Sequence, residues 1–253
     1  MLNKQKAVNV LFLGQCLQYG YPGVYASETF PHLAKRTLES RFPHLAFNFN
    51  LKYLYHPVGL KPILAHRLMV SNPDFVIIFV SAIFVASSWR VNYIYEIAPE
   101  VIDTARSFMQ KVEARTKREY VRSKTLLDNL LTRRAPLSID EYRNYLREGI
   151  ETCRTSNIRS VVLMGPSYFD EDTHEGYALE SPEVWLSVNR MVLALGEEMN
   201  VPVIDTQGLL IDCGRESRLP HSIKYSPFGH TMVALEVDRV LGAMVSSLDA
   251  VDP

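Results

Sequence analysis

The chain has 253 residues, of which 47% are hydrophobic and 22% are charged, and its formal net charge at pH 7 is −1. This composition is typical of a globular protein, and the near-neutral charge indicates neither a nucleic-acid partner nor an anionic membrane surface as a partner. No stretch is apolar over the length of a membrane span, and the length suits one domain, so we expect a single domain over residues 1–253.

The three cysteines, Cys16, Cys153 and Cys213, are an odd number without the spacing of a disulfide framework. This usage favours reduced thiols over a secreted disulfide scaffold. The apolar run near the N-terminus is too short for a signal peptide and is followed by no small-residue cleavage site. We therefore expect a cytoplasmic protein.

Predicted strands and helices alternate along most of the chain. The predicted strands are Val8–Leu13, Leu45–Tyr55, the run PDFVIIFVSAIF from Pro73, Ile158–Met164 and Val201–Ile204. The predicted helices are Ser27 to about Arg41 with Ser27 as N-cap, Lys61–Val70, Glu100 to about Leu131, Ser138 to about Ser156 with Ser138 as N-cap, Pro182–Met199, and Phe228 to about Leu248. Arg133–Pro136 and Asp205–Pro227 are predicted as loops.

This alternation predicts a parallel sheet with right-handed crossovers. We expect a three-layer α/β/α, flavodoxin-like fold whose five strands follow the order 2-1-3-4-5. Neither a G-x-G-x-x-G fingerprint nor a Walker A motif is present, and we expect no cofactor. The basic residues between Lys111 and Lys124 are interrupted by Glu113 and Glu119, which favours a solvated helix face over a nucleic-acid patch.

The connection after the first strand carries the first candidate site residue. Ligands of open α/β sheets bind beyond the carboxyl ends of the strands. Cys16 follows the first strand almost directly, which is where such a ligand would lie. A buried cysteine at a strand end is also often a packing residue, and both interpretations stay open at this point.

Three segments resemble sequence blocks of the SGNH (GDSL) hydrolases. The segment VLFLGQCLQYG is similar to the opening block, which normally reads as a strand followed by Gly-Asp-Ser-Leu. The run PDFVIIFVSAIF is similar to the third block, and HSIKYSPFGH, residues 221–230, is similar to the last block, which normally carries the catalytic aspartate and histidine. The resemblance implies the SGNH fold and acyl-transfer chemistry.

By this resemblance, the catalytic set of the family is substituted at nearly every position. Cys16 stands in the place of the serine nucleophile, and His221 and Lys224 stand in the places of the aspartate and the histidine. The resemblance also assigns oxyanion-hole or substrate-binding places near the nucleophile, and we include three further residues on their predicted positions. The assigned residues are Gly14, Gln15, Gly59 and Ser81, with Ile83 in place of the family's asparagine, and the further ones are His56, Tyr168 and His230.

These substitutions differ in their chemical consequences. A cysteine is still a nucleophile and has less need of a base than a serine, because a thiol is far more acidic than an alcohol. Cationic groups at His221 and Lys224 would favour the thiolate of Cys16, and a desolvated lysine can act as a base. The backbone N–H groups of Cys16 and Ser81 remain candidate oxyanion donors. For His230 we favour a packing role, and for His56 the cleft and its rim are equally consistent with the sequence.

Three functions are compatible with this pattern. The first is an acyl hydrolase or acyltransferase that uses Cys16 on an ester or thioester, with a small-molecule or carrier-bound acyl substrate. The second is a catalytically inactive relative that binds a small molecule or a protein through the remnant pocket. The third and least favoured is a zinc site built from Cys16, Cys213, His221 and His230, whose spacing forms no metal motif, so we expect no metal. The sequence does not predict the oligomeric state.

Overall fold

The computed structural model describes residues 6–14, 16–21, 23–54, 57, 60–86, 89–91, 132–134, 137–156, 158–168, 182–220 and 222–249. For residues 16, 86, 89–91, 132–134, 248 and 249 the description covers the backbone alone. The helix predicted from Glu100 to about Leu131 lies outside these ranges.

The central sheet confirms the predicted fold. Five parallel strands follow the order β2-β1-β3-β6-β7, which is the predicted order 2-1-3-4-5 with the strands renumbered along the chain. Two further strands, β4 and β5, form a separate antiparallel pair. The strand bounds are β1 Lys6–Gly14, β2 Leu45–Tyr53, β3 Phe75–Phe79, β4 Trp89–Val91, β5 Thr132–Arg134, β6 Ser160–Met164 and β7 Val203–Ile204.

Helices cover both faces of the sheet. The helices are α1 Phe30–Arg41, α2 Leu60–Ser71, α3 Ile83–Ala86, α4 Ile139–Arg154, α5 Pro182–Glu198, α6 Thr206–Asp212 and α7 Pro227–Asp249, with 3₁₀ turns at Cys16–Gln18, Ala26–Glu28 and Arg215–Ser217. Apolar residues of α2, α4 and α5 form one core, and those of α1, α6 and α7 form the other. This is the expected three-layer α/β/α arrangement.

Strand β3 shows why the sheet is so evident in the sequence. All five of its residues are buried. Val76 and Ile78 pack into the first core, and Phe75, Ile77 and Phe79 pack into the second. A strand covered on both faces needs apolar side chains at every position, so it appears as a continuous apolar run.

Four local predictions are corrected by the structure. The strand predicted from Pro73 to Phe84 ends at Phe79, and Ile83–Ala86 form helix α3. Ser27 is not the N-cap of α1, because it lies in the 3₁₀ turn and Thr29 is the N-cap, followed by Phe30 and Pro31. The predicted loop Asp205–Pro227 contains helix α6, whose N-cap Asp205 accepts a hydrogen bond from the N–H of Gly208. Arg133 and Arg134, which were predicted as the start of a loop, belong to strand β5.

The N-cap predicted for α4 is confirmed. The hydroxyl of Ser138 accepts from the N–H of Glu141 at 3.2 Å, and the Glu141 carboxylate accepts from the N–H of Ser138 at 2.8 Å. This reciprocal pair is a capping box, which satisfies two backbone donors at the helix start.

Within the described ranges, no helix combines the length and the apolarity that a membrane crossing requires.

Candidate functional site at the carboxyl edge of the sheet

Backbone hydrogen bonds continue beyond the carboxyl ends of the strands. The N–H of Leu54 donates to the carbonyl of Gly14 at 2.6 Å, and the N–H of Val80 donates to the carbonyl of Met164 at 2.8 Å. The N–H of Gly165 similarly donates to the carbonyl of Ile204 at 2.8 Å. The connections that leave this edge therefore start from fixed positions.

The 3₁₀ turn that carries Cys16 is anchored by the two residues after it. Leu17 is 3% exposed and packs into the second core. Gln18 is buried, and its Nε2 donates to the carbonyl of Lys52, near the end of β2, at 2.8 Å. These contacts fix the backbone of Cys16 beside the ends of β1 and β2.

Gly14 leaves space for the buried side chain of Gln18. A Cβ atom added at Gly14 would lie 3.1 Å from the Cβ of Phe79 and 3.2 Å from Oε1 of Gln18. Both distances are shorter than ordinary van der Waals contacts, so a larger residue would press on the Gln18 side chain. Gly14, which we predicted as part of the site, therefore supports the turn of Cys16 through packing.

The segment 217–226, here called the Lys224 loop, turns back on itself before α7. The N–H of Ser226 donates to the carbonyl of Ser217 at 3.0 Å, and Arg218 and Tyr225 form an antiparallel bridge. The N–H of Leu219 donates to the carbonyl of Lys224 at 2.9 Å. The loop is thus a closed unit with Lys224 on its returning arm.

Two hydroxyl groups from other connections bond to this arm. Oγ of Ser167, which follows β6, donates to the carbonyl of Ile223 at 2.6 Å. Oη of Tyr21, which follows the turn of Cys16, donates to the carbonyl of Tyr225 at 2.7 Å. The ammonium Nζ of Lys224 lies 5.8 Å from the centroid of the Tyr21 ring, within the range of a cation–π contact. The connections after β1 and β6 therefore meet at Lys224.

His230 is buried, with both ring nitrogens in hydrogen bonds. Nδ1 accepts from the N–H of Phe30 at 3.1 Å, and Nε2 lies 2.7 Å from Oη of Tyr21. Since Nδ1 is an acceptor, the proton of the neutral ring is on Nε2, which donates to Tyr21. Burial lowers the pKa of His230 to about 4, so the ring is neutral at pH 7. This geometry favours the packing role over contact with a substrate.

The neutral state of His230 predicts a pH-dependent free energy of unfolding. A histidine with a pKa near 6.5 in the unfolded chain and about 4 in the folded protein stabilises the fold fully above pH 6.5. That contribution, at most about 3 kcal/mol, is lost as the pH falls from 6.5 towards 4. Urea unfolding at several pH values should show this decline, and the decline should be shallower in His230→Phe and unchanged in His66→Gln, which alters an exposed histidine.

Ser81 and Ile83, which we predicted at oxyanion positions, face the protein interior. The N–H of Ser81 donates to Oη of Tyr142 at 3.1 Å, and both residues are buried. Burial also raises the pKa of Tyr142, which keeps the phenol protonated. The side chain of Ile83 is packed in the first core and is an aliphatic group without a donor. The amide that we considered as an oxyanion donor is therefore already hydrogen-bonded.

Tyr168 is half-buried and lies beneath a cation that the sequence analysis did not single out. Cζ of Arg218 is 4.5 Å from the centroid of the Tyr168 ring, and Arg218 is buried. Arg218 belongs to the segment predicted as a loop, where an arginine carries no distinguishing signal. Arg218 and Lys224 thus place two cationic side chains on the Lys224 loop, each against a tyrosine ring.

Several predicted site residues are not among the described ones. Gln15, His56, Gly59 and His221 lie outside them, as does the side chain of Cys16.

The two other cysteines, Cys153 and Cys213, are among the described residues. Cys153 is fully buried, and burial raises its pKa to about 12. Burial and the charge of Asp212 raise the pKa of Cys213. Across the described residues, no three His, Cys, Asp or Glu side chains are grouped as a metal site.

No model of a known protein family matches the sequence, and no curated protein matches it. Solved structures do match. An acetylxylan esterase from Geobacillus stearothermophilus matches with a TM-score of 0.60 and 16% identity, over 94% of this chain and 95% of that chain. A lipase/acylhydrolase from Enterococcus faecalis matches with a TM-score of 0.58 and 14% identity, over 92% and 95%.

A putative lipolytic protein of the G-D-S-L family from Desulfitobacterium hafniense DCB-2 matches with a TM-score of 0.56 and 13% identity, over 92% of this chain and 99% of that chain. Structures of catalytic mutants of the Geobacillus esterase replace an aspartate, a serine or a histidine by alanine. At these identities the matches show the fold alone. The chain therefore shares its fold with esterases and lipases of the SGNH (GDSL) type.

Proposed function

We propose that this protein is an acyl hydrolase or acyltransferase that acts on an ester or thioester through Cys16. The supporting observation is the correspondence with the acetylxylan esterase, whose catalytic mutants include a serine near the N-terminus and an aspartate and a histidine three residues apart. This chain carries Cys16 near its N-terminus, and His221 and Lys224 are three residues apart. The contact between Tyr21 and the Lys224 loop brings the two segments to one edge of the sheet.

The proposed reaction has two balanced steps. The thiolate of Cys16 attacks the acyl carbonyl carbon, the new bond joins Sγ to that carbon, and the bond to the leaving sulfur or oxygen breaks; the leaving group takes up from solvent the proton that Cys16 released when it ionised. Water or an acceptor hydroxyl or thiol then attacks the acyl-cysteine and loses its proton to solvent, the bond from Sγ to the acyl carbon breaks, and Sγ leaves as the thiolate. Thioesters suit this chemistry best, because exchange between a thiol and a thioester is nearly balanced and needs little protonation of the leaving group.

Lys224 has a clear role in this scheme. Its ammonium group, held beside Tyr21 of the same connection that carries Cys16, would favour the charged thiolate and so lower the pKa of Cys16. Arg218 on the same loop adds a second positive charge at this edge. A thiolate formed in this way does not require the aspartate–histidine pair that a serine needs.

A second candidate function is a binding protein without catalysis. One specific observation favours it, namely that the amide of Ser81 bonds to Tyr142 and is not directed at a ligand. Ile83 also supplies no donor where the family has an asparagine, and loss of one oxyanion donor costs other enzymes about 3 kcal/mol of transition-state stabilisation. The ligand of such a protein would occupy the remnant pocket beside Cys16 and Lys224.

Acyl transfer to Cys16 separates the two functions. We expect a panel of acyl thioesters and activated esters to leave one acyl group on the intact protein, detected by mass, and hydroxylamine to remove it. Cys16→Ala should abolish the adduct, the matched variant Cys213→Ala should retain it, and Lys224→Met should form it more slowly. If no substrate gives an adduct or turnover while a member of the panel raises the melting temperature, the binding function is correct and the enzyme proposal is wrong.

A further inference from the structure

We infer that Tyr21 and Ser167 are positioning residues that hold Lys224 at the carboxyl edge of the sheet. We call this pair the lysine clamp. Its role for Cys16 rests on the proposed function, whereas its effect on Lys224 itself does not. Neither residue carries a charge or a nucleophile that the proposed reaction uses, so their contribution would be geometric.

The two hydroxyl groups bond to the backbone on either side of Lys224. Oγ of Ser167 donates to the carbonyl of the preceding residue, Ile223, and Oη of Tyr21 donates to the carbonyl of the following residue, Tyr225. Ser167 is 2% exposed, so water does not compete for its hydroxyl. Ser167 thus fixes the planar peptide group that joins Ile223 to Lys224, and Tyr21 fixes the peptide group that joins Tyr225 to Ser226, so the backbone is held on both sides of Lys224.

The backbone of Lys224 is also engaged within its own loop. Its N–H donates to Oγ of Ser222 at 3.0 Å, and its carbonyl accepts from the N–H of Leu219. Neither peptide group of Lys224 can therefore rotate without loss of a hydrogen bond. The ring of Tyr21 lies beside the end of the long side chain.

A hydrogen bond from His230 fixes the orientation of the Tyr21 hydroxyl. Nε2 of His230 donates to Oη of Tyr21, so the phenol proton is directed to the carbonyl of Tyr225. The imidazole is held in turn by the N–H of Phe30 at the start of α1. This chain of bonds ties the connection that carries Cys16 to the loop that carries Lys224, and it gives Tyr21 two functions, as a hydrogen-bond donor and as a ring under the ammonium group.

The test measures the NMR signal of the Lys224 side chain itself. Lysines are reductively methylated with ¹³C-formaldehyde, and the dimethyl signal of Lys224 is assigned by its absence in Lys224→Arg. We expect an upfield ring-current displacement in the wild type, its loss in Tyr21→Leu, and a broadened, partly displaced signal in Tyr21→Phe and Ser167→Ala. The matched variant Tyr145→Phe, on α4, should leave the signal in place. An unchanged Lys224 signal in both Tyr21→Phe and Ser167→Ala would overturn the clamp.

A double-mutant cycle connects the clamp to Cys16. Tyr21→Phe should slow the alkylation of Cys16 by about tenfold, the effect of roughly one pKa unit, and should have no further effect in a Lys224→Met background. Equal slowing in both backgrounds would mean that Tyr21 does not act through Lys224, and the inference would be wrong. If Lys224→Met leaves the alkylation rate unchanged while the ring-current changes occur, the clamp is supported and the role of Lys224 in the proposed function is refuted.

Discussion

Iodoacetamide at pH 7.5 should alkylate Cys16 about a thousandfold faster than Cys153 in the folded protein. Cys153 is fully buried on α4, and burial raises its pKa to about 12. A thiol with a pKa near 8.5 is about one-tenth thiolate at this pH, whereas a thiol with a pKa near 12 has a thiolate fraction several thousand times smaller. Any cationic influence of Lys224 on Cys16 would widen this ratio.

Peptide mass spectrometry after timed alkylation measures the three cysteines in one sample. Cys213 should react at an intermediate rate, because it is only half-buried but its pKa is raised by burial and by Asp212. The same experiment in denaturing urea is the control, where all three rates should converge. Rates for Cys16 and Cys153 that are equal in the folded protein would refute the activated thiol.

The parallel sheet could be predicted from the sequence because of where its strands lie. Residues 10–14 of β1 and all of β3 are buried on both faces, and a strand in that environment consists of consecutive apolar residues. The order of the strands was predicted from the alternation with helices, for which right-handed crossovers leave few topologies, together with the order of the segments that resemble the family blocks. The N-cap of α4 could also be predicted, because Ser138 suits that position and the acidic residues Asp140 and Glu141 follow it in the first turn.

Short elements escaped prediction for a different reason. Helix α6 has seven residues, fewer than two full turns of helical period, and its cap Asp205 resembles an ordinary loop residue. Strands β4 and β5 have three residues each, too few for an alternating pattern, and they pair across more than forty positions of the chain. The N-cap of α1 was predicted as Ser27 and not as Thr29, because serine and threonine both suit that position.

The site was partly predictable. Cys16 and Lys224 were predicted from segments that resemble the family blocks, and in the structure Tyr21, which follows the turn of Cys16, lies against the end of Lys224. The bonds that hold Lys224 could not be found in this way. Tyr21 and Ser167 donate to backbone carbonyls 204 and 56 residues away, and a carbonyl is the same for every residue type, so the sequence carries no sign of the partner.

Gly229→Ala should be the most destabilising single change near the site. A Cβ atom at Gly229 would lie 1.9 Å from the carbonyl oxygen of Ser217, which is backbone and cannot rotate away. That same oxygen accepts from the N–H of Ser226 and closes the Lys224 loop. Relief of the clash must therefore separate the first turn of α7 from the loop, and we expect a loss of about 3 kcal/mol in the free energy of unfolding, at the upper end of the usual cost of overpacking.

Urea unfolding at pH 7.5 measures this loss, and Thr231→Ala is the matched control. Thr231 is exposed on the same turn of α7, and its hydroxyl bonds only to the helix carbonyl of Pro227, so its replacement should change the free energy of unfolding by less than about 0.5 kcal/mol. Gly229→Ala should also weaken the ring-current displacement of Lys224, because the loop that presents the lysine is closed by the carbonyl that the new methyl group displaces. A variant as stable as the wild type, with an unchanged Lys224 signal, would show that α7 does not approach Ser217 this closely and that the Lys224 loop is held from the Tyr21 side alone.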